Sequence, residues 1–284
     1  MSAPSRRSLV AGAAFGVLST ATKSGLAAEK AAADGRLKQS VCKWCYRDMS
    51  LEELAEHGAK MGLVAIDLLT EEEWPTLERY GLVCSMGSGI CSIADGLNVR
   101  ENHAQIEENF RKLLPAAKKH GVPNLICFSG NRRDVSDEEA WENCAALLEK
   151  VTPQAEDLGV TIAMELLNSK VNHPDYQCDR TSWGVELAKR VDSARFKLLY
   201  DIYHMQIMEG DVIRTIRDNA QYLAHYHTGG NPGRNEIDES QELNYKAISK
   251  AIADLNFDGY FAHEFIPTRD PMTSLRQAVE ICRV

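Results

Sequence analysis

The sequence predicts a single (β/α)8 barrel, the α/β fold also called a TIM barrel. First, short apolar or β-branched runs alternate with stretches of helical periodicity from residue 37 to residue 284. Second, eight runs of each kind are present, and eight consecutive strand–helix units close a parallel sheet into a barrel. Third, the chain of 284 residues is 44% hydrophobic, which suffices for one barrel of about 250 residues.

Capping residues support the periodicity in the first half of the barrel. Ser50 and Glu53 form a capping box ahead of the first helix, and Pro75 lies in the first turn of the second helix, where a missing N–H is tolerated. Ser136 is the candidate cap of the fourth helix. The predicted strands are residues 39–42, 63–68, 82–86 and 124–128, and the predicted helices are residues 50–61, 74–80, 102–120 and 137–158.

The second half repeats this alternation, and several loops that follow strands in both halves are long. Loops that follow barrel strands surround one mouth, so the segments 87–101, 129–136, 166–181 and 228–243 are expected to build a substrate pocket. A doubly wound open sheet is the alternative, but no Gly-rich phosphate loop follows the first strand. The remaining strands are predicted at residues 160–165, 196–201, 223–227 and 260–264, and the remaining helices at 182–191, 211–219, 245–255 and 272–282.

Residues 1–28 differ in composition from the rest of the chain. They carry three positive charges and no acid. Arg6 and Arg7 precede a small-residue apolar stretch, and Ala27 and Ala28 end a candidate signal-peptidase site, which is typical of a twin-arginine export signal. This predicts a periplasmic or otherwise exported protein with a signal at residues 1–28, a linker at 29–36 and a catalytic barrel at 37–284. If residues 1–28 are only a disordered basic tail, the protein is cytoplasmic.

Charge and hydropathy argue against two classes of partner. The net charge is −9 and the pI is about 5.4, so no basic face for a nucleic acid is expected. After residue 28, no segment reaches the roughly 18 uninterrupted apolar residues that a membrane span needs. The expected partner is a small hydroxy-carbonyl acid or sugar, and the sequence leaves a homo-oligomer open.

The eight cysteines are scattered, and most are expected to be buried thiols. Cys42 and Cys45 form a lone C-x-x-C pair at the end of the first strand. No second pair completes a zinc site, so a redox or metal role is not the favoured interpretation of this pair.

Four potential metal ligands stand at the ends of four predicted strands: Glu165, Asp201, His227 and Glu264. Side chains at the carboxyl ends of barrel strands converge on one central site. Singly, each acid is compatible with an ordinary loop residue, but a buried carboxylate is costly unless it is paired, protonated or metal-bound. Together they form an oxygen-rich site for one divalent cation, with Mn2+ or Mg2+ as first candidates and Zn2+ or Co2+ as alternatives.

Further polar residues are placed near this site by their spacing. His204 lies three residues after Asp201, so one side chain can face the metal and the other the substrate. Arg234 lies in a turn-rich segment that can return over the mouth and offer a fork of donors to a carboxylate or a hydroxyl-rich substrate. A solvated loop arginine is the alternative. Two other histidines, His225 and His263, are expected to be hydrogen-bonded strand residues.

Four segments carry a resemblance to a known family. They are MELLN at 164–168, DIYHMQ within 200–206, NPGRNE at 231–236 with LNY at 243–245, and HEF at 263–265. With these segments in order over residues 37–284, the chain resembles the hydroxypyruvate isomerase family. That family belongs to the xylose-isomerase-like TIM barrels, alongside D-tagatose 3-epimerase and endonuclease IV.

The resemblance implies a role for each candidate residue. His227 stands where some hydroxypyruvate isomerases carry Gln, and agrees in this with the epimerases. The implied metal ligands are Glu165, Asp201, His227 and Glu264, the implied acid–base pair is Glu165 and Glu264, and the implied substrate contacts are His204 and Arg234.

The expected reaction is the isomerisation of hydroxypyruvate to tartronate semialdehyde through an ene-diolate. One glutamate removes a carbon-bound proton, and the other returns a proton to the neighbouring carbon. A ketose 3-epimerase would use the same two glutamates, whereas a non-catalytic exported sugar-binding barrel would use neither as a base. A nuclease like endonuclease IV needs a three-metal cluster with further His and Asp ligands, but the second and third strands offer Asp67 and no His.

Overall fold

The computed structural model of the protein describes residues 35–284. Its eight strands are parallel and pair in sequence order, and the last strand pairs with the first, so the sheet is a closed barrel. The predicted (β/α)8 fold is therefore confirmed, and each strand lies within two residues of its expected position. The strands are β1 Lys38–Cys42, β2 Ala65–Leu69, β3 Val83–Gly87, β4 Asn124–Cys127, β5 Thr161–Glu165, β6 Phe196–Asp201, β7 Leu223–Thr228 and β8 Tyr260–His263.

Nine α-helices surround the strands in residues 35–284, one more than expected. They are α1 Leu51–Met61, α2 Trp74–Leu77, α3 His103–His120, α4 Asp137–Leu158, α5 Thr181–Val191, α6 Ile202–Met208, α7 Val212–Asn219, α8 Tyr245–Ala253 and α9 Pro271–Ile281. The additional helix, α6, lies between β6 and the predicted helix at 211–219, where no helix was expected. The Asp201 side chain accepts the main-chain N–H of His204 as an N-cap, so the chain passes directly from strand to helix.

The predicted capping residues begin their helices as expected. Ser50 accepts the N–H of Glu53, and the Glu53 side chain accepts the N–H of Ser50, so both halves of the capping box form. Ser136 caps α4 through its side chain. Pro75 lies in the first turn of α2, which is shorter than predicted and continues as a 3-10 turn at Glu78–Tyr80.

Alternation along the strands decides which side chains fill the barrel. Successive side chains of a strand point to opposite faces, so Ala163 and Leu199 lie on the same face as Glu165 and Asp201, two positions later. Ala163 and Leu199 belong to a small buried cluster that is separate from the main hydrophobic core. The larger core includes residues of both the strands and the helices. The barrel is thus filled by side chains and is not an open pore.

The strand β2 departs from regular pairing. Its register against β3 shifts between Ile66 and Asp67 and again between Asp67 and Leu69, and Leu68 has a φ of 63°. Such an irregularity re-aims neighbouring side chains. Asp67 is fully buried, and its carboxylate meets His225 inside the barrel.

The predicted export signal at residues 1–28 and most of the linker at 29–36 lie outside the described residues. At the start of the described part, the Arg36 N–H donates to the carbonyl oxygen of Val284 at 2.8 Å. A search of residues 35–284 finds no helix with the length and apolar character to cross a membrane. All eight cysteines are free thiols, seven of them buried and Cys91 half-buried, in agreement with the expectation.

Candidate active site

The four expected metal ligands lie together at the carboxyl end of the barrel. Glu165 and Asp201 are the last residues of β5 and β6, His227 is the last but one of β7, and Glu264 directly follows β8. One donor atom of each lies within 4.8 Å of the donor atoms of the others. All four residues are at most 5% exposed, and so they form one buried cluster.

The pairing of the strands produces this convergence. Asp201 on β6 is the direct partner of His227 on β7, and Glu165 on β5 pairs with Leu199, two residues before Asp201. The Glu264 N–H donates to β7 at 3.1 Å and so continues the ladder by one residue. Because residues two apart in a strand share a face, these side chains all point into the barrel mouth.

The donor set fits a divalent cation. Three carboxylates and an imidazole buried together are destabilised by lost hydration and mutual repulsion unless positive charge balances them. His227 Nδ1 is buried without a hydrogen-bond partner, although it lies 2.7 Å from Glu264 Oε2 and 3.4 Å from Glu165 Oε1. Unless the ring is protonated, a nitrogen lone pair that faces carboxylate oxygens is unfavourable, and a cation shared by these atoms removes the conflict.

Arg234 returns over the mouth, as expected, and its side chain is only 12% exposed. Its Nη2 donates to Asp201 Oδ2 at 2.7 Å and also to Glu264 Oε2. The guanidinium carbon lies 5.5 Å from the ring centroid of Trp44 and 5.1 Å from that of Tyr203, within the range of cation–π attraction. The alternative of a solvated loop arginine does not hold.

His204 lies on α6 with both ring nitrogens in defined surroundings. The Asn168 main-chain N–H donates to Nδ1 at 3.1 Å. Burial, and then the charge of Arg234, lower the pKa of His204 well below its usual value, which keeps the ring neutral. Nε2 lies 2.6 Å from Arg234 Nη1. Because a guanidinium only donates, this short contact and the Asn168 N–H require opposite tautomers of the neutral ring.

The carboxylates of the cluster differ in proton affinity. Burial raises the pKa of Glu165, and the nearby charge of Glu264 adds to the increase. Burial also acts on Glu264, but the positive charges of Arg234 and His227 outweigh it and lower the pKa of Glu264 well below its usual value. Burial raises the pKa of Asp201 in spite of Arg234. Glu264 is therefore the carboxylate that its neighbours stabilise most as an anion.

Two residues that the sequence pattern did not select touch this cluster. Trp44 Nε1 donates to Glu264 Oε1 at 2.5 Å. Asp67 Oδ2 lies 3.3 Å from His227 Nε2. Each had a signal in the sequence, since Trp44 lies just beyond the first strand and Asp67 interrupts an apolar strand.

The two other strand histidines are hydrogen-bonded, as expected, and Cys42 lies close to His227. His225 is hydrogen-bonded to Asp67, with 2.5 Å between Nε2 and Oδ2, and His263 Nε2 lies 2.8 Å from Gln39 Oε1. Cys42 lies beside the cluster, with its Sγ 3.8 Å from His227 Nε2. Burial raises the pKa of the Cys42 thiol, which disfavours the thiolate that metal binding or thiol exchange needs.

Comparison with curated proteins finds isomerases. A 2-oxo-tetronate isomerase from Cupriavidus necator is 34% identical over 109 residues, which are 38% of this chain and 41% of that protein. A hydroxypyruvate isomerase from Escherichia coli is 32% identical over 177 residues, which are 60% of this chain and 67% of that protein. The chain matches 40 to 64% of the length of the first four such relatives.

A solved structure with a similar fold and a matching family model identify the family of this barrel. The structure of D-psicose 3-epimerase with D-tagatose from Clostridium cellulolyticum H10 has a TM-score of 0.73 to this chain. That match covers 87% of this chain and 100% of the other at 18% identity, so the likeness concerns the fold alone. The model of a family described as the xylose isomerase-like TIM barrel matches residues 51–283. Since this match spans every α-helix of the barrel and every strand except β1, the chain belongs to the xylose isomerase-like TIM barrel family.

Proposed function

We propose that the protein is a metal-dependent isomerase that converts hydroxypyruvate to tartronate semialdehyde. The observation that carries the proposal is that Glu165 and Glu264 meet in one buried cluster with Asp201 and His227. The relatives named 2-oxo-tetronate isomerase and hydroxypyruvate isomerase support a reaction of this class.

The four clustered side chains would hold one divalent cation. Three carboxylates and one imidazole suit Mn2+ or Mg2+ first and Zn2+ or Co2+ as alternatives. When bound, the cation supplies positive charge next to the substrate oxygens and so makes the adjacent carbon-bound proton more acidic. The cluster consists of Glu165, Asp201, His227 and Glu264.

The two glutamates carry the proton between carbons in this proposal. One carboxylate takes a proton from the hydroxymethyl carbon, and the other delivers a proton to the neighbouring carbonyl carbon. The hydroxyl hydrogen of the first carbon ends on the former carbonyl oxygen, so the reaction consumes no net proton. Proton transfer by a positioned carboxylate contributes typically about a hundredfold to ten-thousandfold in rate.

His204 and Arg234 would hold the substrate. His204 Nε2 and Arg234 Nη1 lie 2.6 Å apart, and the guanidinium can only donate. A carboxylate or hydroxyl oxygen of the substrate could accept from this guanidinium next to the His204 ring. The guanidinium fork matches a carboxylate, and the rings of Trp44 and Tyr203 lie beside it.

A ketose 3-epimerase is the second candidate, and His227 favours it. Some hydroxypyruvate isomerases carry Gln where this chain has His227, whereas the resembling epimerases carry His. Epimerisation would use the same two glutamates, with one removing and the other returning a proton at a single carbon. A non-catalytic exported sugar-binding barrel would hold its ligand without moving protons.

Proton exchange in heavy water distinguishes these functions. The purified protein is first analysed for metal content, then loaded with Mg2+ and incubated in D2O with hydroxypyruvate or with a panel of ketohexoses, while NMR follows the products. We expect deuterium on the substrate carbons and tartronate semialdehyde as the product. Epimerised ketohexose without turnover of hydroxypyruvate would establish the second candidate. Unexchanged substrates throughout would refute both enzymes and favour the binding protein.

We also propose that the protein is exported by the twin-arginine route. The support is the pair Arg6 and Arg7 ahead of an apolar stretch. In a bacterial host with this route, the wild-type chain should be found in the periplasm without residues 1–28, and the double variant R6K/R7K should stay full length in the cytoplasm. Full-length wild-type chain confined to the cytoplasm would contradict the proposal.

A further inference from the structure

Asp67 is a buried carboxylate that the proposed proton transfer does not use. It lies on β2 and is 0% exposed. The pairing register of β2 with β3 shifts on both sides of Asp67, and the next residue, Leu68, has a left-handed φ of 63°. The Asp67 side chain reaches His225 and His227 inside the barrel. A carboxylate in such a place is costly unless several donors compensate its lost hydration.

Three hydrogen-bond donors compensate the lost hydration of the Asp67 carboxylate. Its Oδ1 accepts the hydroxyl of Ser85. Its Oδ2 lies 2.5 Å from His225 Nε2 and 3.3 Å from His227 Nε2. An ionised carboxylate only accepts hydrogen bonds, so both imidazoles present an N–H on Nε2 to it.

This contact decides the tautomer and the orientation of His227. In a neutral imidazole, one nitrogen donates and the other carries a lone pair. With the hydrogen on Nε2, the lone pair is on Nδ1, the atom that lies 2.7 Å from Glu264 Oε2 and 3.4 Å from Glu165 Oε1. Apart from Asp67, Nε2 has the Cys42 thiol at 3.8 Å, which is a weak partner.

We infer that Asp67 is a positioning residue that holds the His227 ring with Nδ1 presented to the cation. The inference rests on the proposed metal site, because it concerns a cation held by His227. A carboxylate behind a metal-binding histidine fixes the ring and raises its basicity, and loss of such a partner typically weakens metal binding about 10- to 100-fold.

Three variants separate this role from a general effect on folding. Asp67→Asn keeps an acceptor oxygen but loses the charge, and Asp67→Ala removes both. Asn124→Ala is the matched control, since Asn124 is 5% exposed and its Nδ2 donates to the carbonyl oxygen of Ser85 at 2.8 Å. Each full-length protein is stripped with a chelator, titrated with Mn2+ by calorimetry, and unfolded in urea without metal.

We expect Asp67→Ala to weaken Mn2+ binding about 10- to 100-fold and Asp67→Asn to weaken it less. Asn124→Ala should lower the free energy of unfolding and leave Mn2+ binding unchanged. In the Zn2+-loaded protein, 15N NMR of the imidazoles should show hydrogen on Nε2 of His227 in the wild type and a loss of this single form in Asp67→Ala.

Wild-type Mn2+ affinity in both Asp67 variants would overturn the inference, and so would an equal loss of affinity in Asn124→Ala. If Asp67→Ala does not fold, the comparison of Asp67→Asn with Asn124→Ala decides the question. If the wild-type protein itself binds no divalent cation, the proposed metal site fails together with the inference. That outcome is distinct from a wild-type protein that binds Mn2+ and Asp67 variants that bind it equally well.

Discussion

The substitution Glu264→Gln tests the two-glutamate mechanism directly. Both oxygens of Glu264 accept hydrogen bonds, Oε1 from Trp44 Nε1 at 2.5 Å and Oε2 from Arg234 Nη2. Glutamine has one oxygen and one NH2 group, so either orientation of its amide sets a donor against a donor. The variant keeps the side-chain volume but loses the charge and one of these hydrogen bonds.

Glu264→Gln should lower both the free energy of unfolding and the turnover number. A hydrogen bond to a charged group contributes about 1.5–3 kcal/mol, and we expect a loss of that size in the free energy of unfolding. The fold should survive, because Arg234 retains its 2.7 Å contact with Asp201 Oδ2. The turnover number should fall by about a hundredfold to ten-thousandfold, which is the usual contribution of a positioned acid or base.

The assay compares Glu264→Gln with Glu165→Gln and with the exposed control Glu239→Gln. Each protein is stripped, reloaded with Mg2+, and followed by NMR in D2O with hydroxypyruvate. The variant that lacks only the proton-returning group should still exchange the substrate proton for deuterium but form no product. The control should behave as wild type. If both active-site variants bind metal and turn over at the wild-type rate, the two-glutamate mechanism is wrong.

Two further substitutions test the loop that carries Arg234. A Cβ at Gly230 would overlap the main-chain oxygen of Glu236. We therefore expect Gly230→Ala to lower the free energy of unfolding, measured in urea, by about 1–3 kcal/mol. An unchanged free energy of unfolding would show that the turn adapts to the added methyl group. Burial opposes ionisation of Glu236, but main-chain and hydroxyl donors lower its pKa from 4.5 to about 2. The resulting stabilisation is complete above about pH 4.5 and is lost as the pH falls toward 2. The stability difference between wild type and Glu236→Gln should therefore shrink over that range, and a constant difference would contradict this account.

The elements and the metal-ligand candidates could be predicted because their signals are local. Strands and helices follow from periodicities of 2 and 3.6 residues, and Glu165 and Asp201 are recognisable as polar residues at the ends of apolar runs. The helix α6 was missed because Asp201 acts both as a strand end and as an N-cap. Its capping role shows only once the backbone after β6 is known.

The sequence by itself determined the order of the strands and the convergence of four polar side chains, because strand ends in a parallel barrel necessarily meet. Only the tertiary structure decided which other residues contact these four side chains. The contact of Asp67 with His227 joins residues 160 positions apart, and that of Trp44 with Glu264 joins residues 220 positions apart. Such contacts depend on barrel closure and on the irregular pairing of β2, which no local pattern encodes.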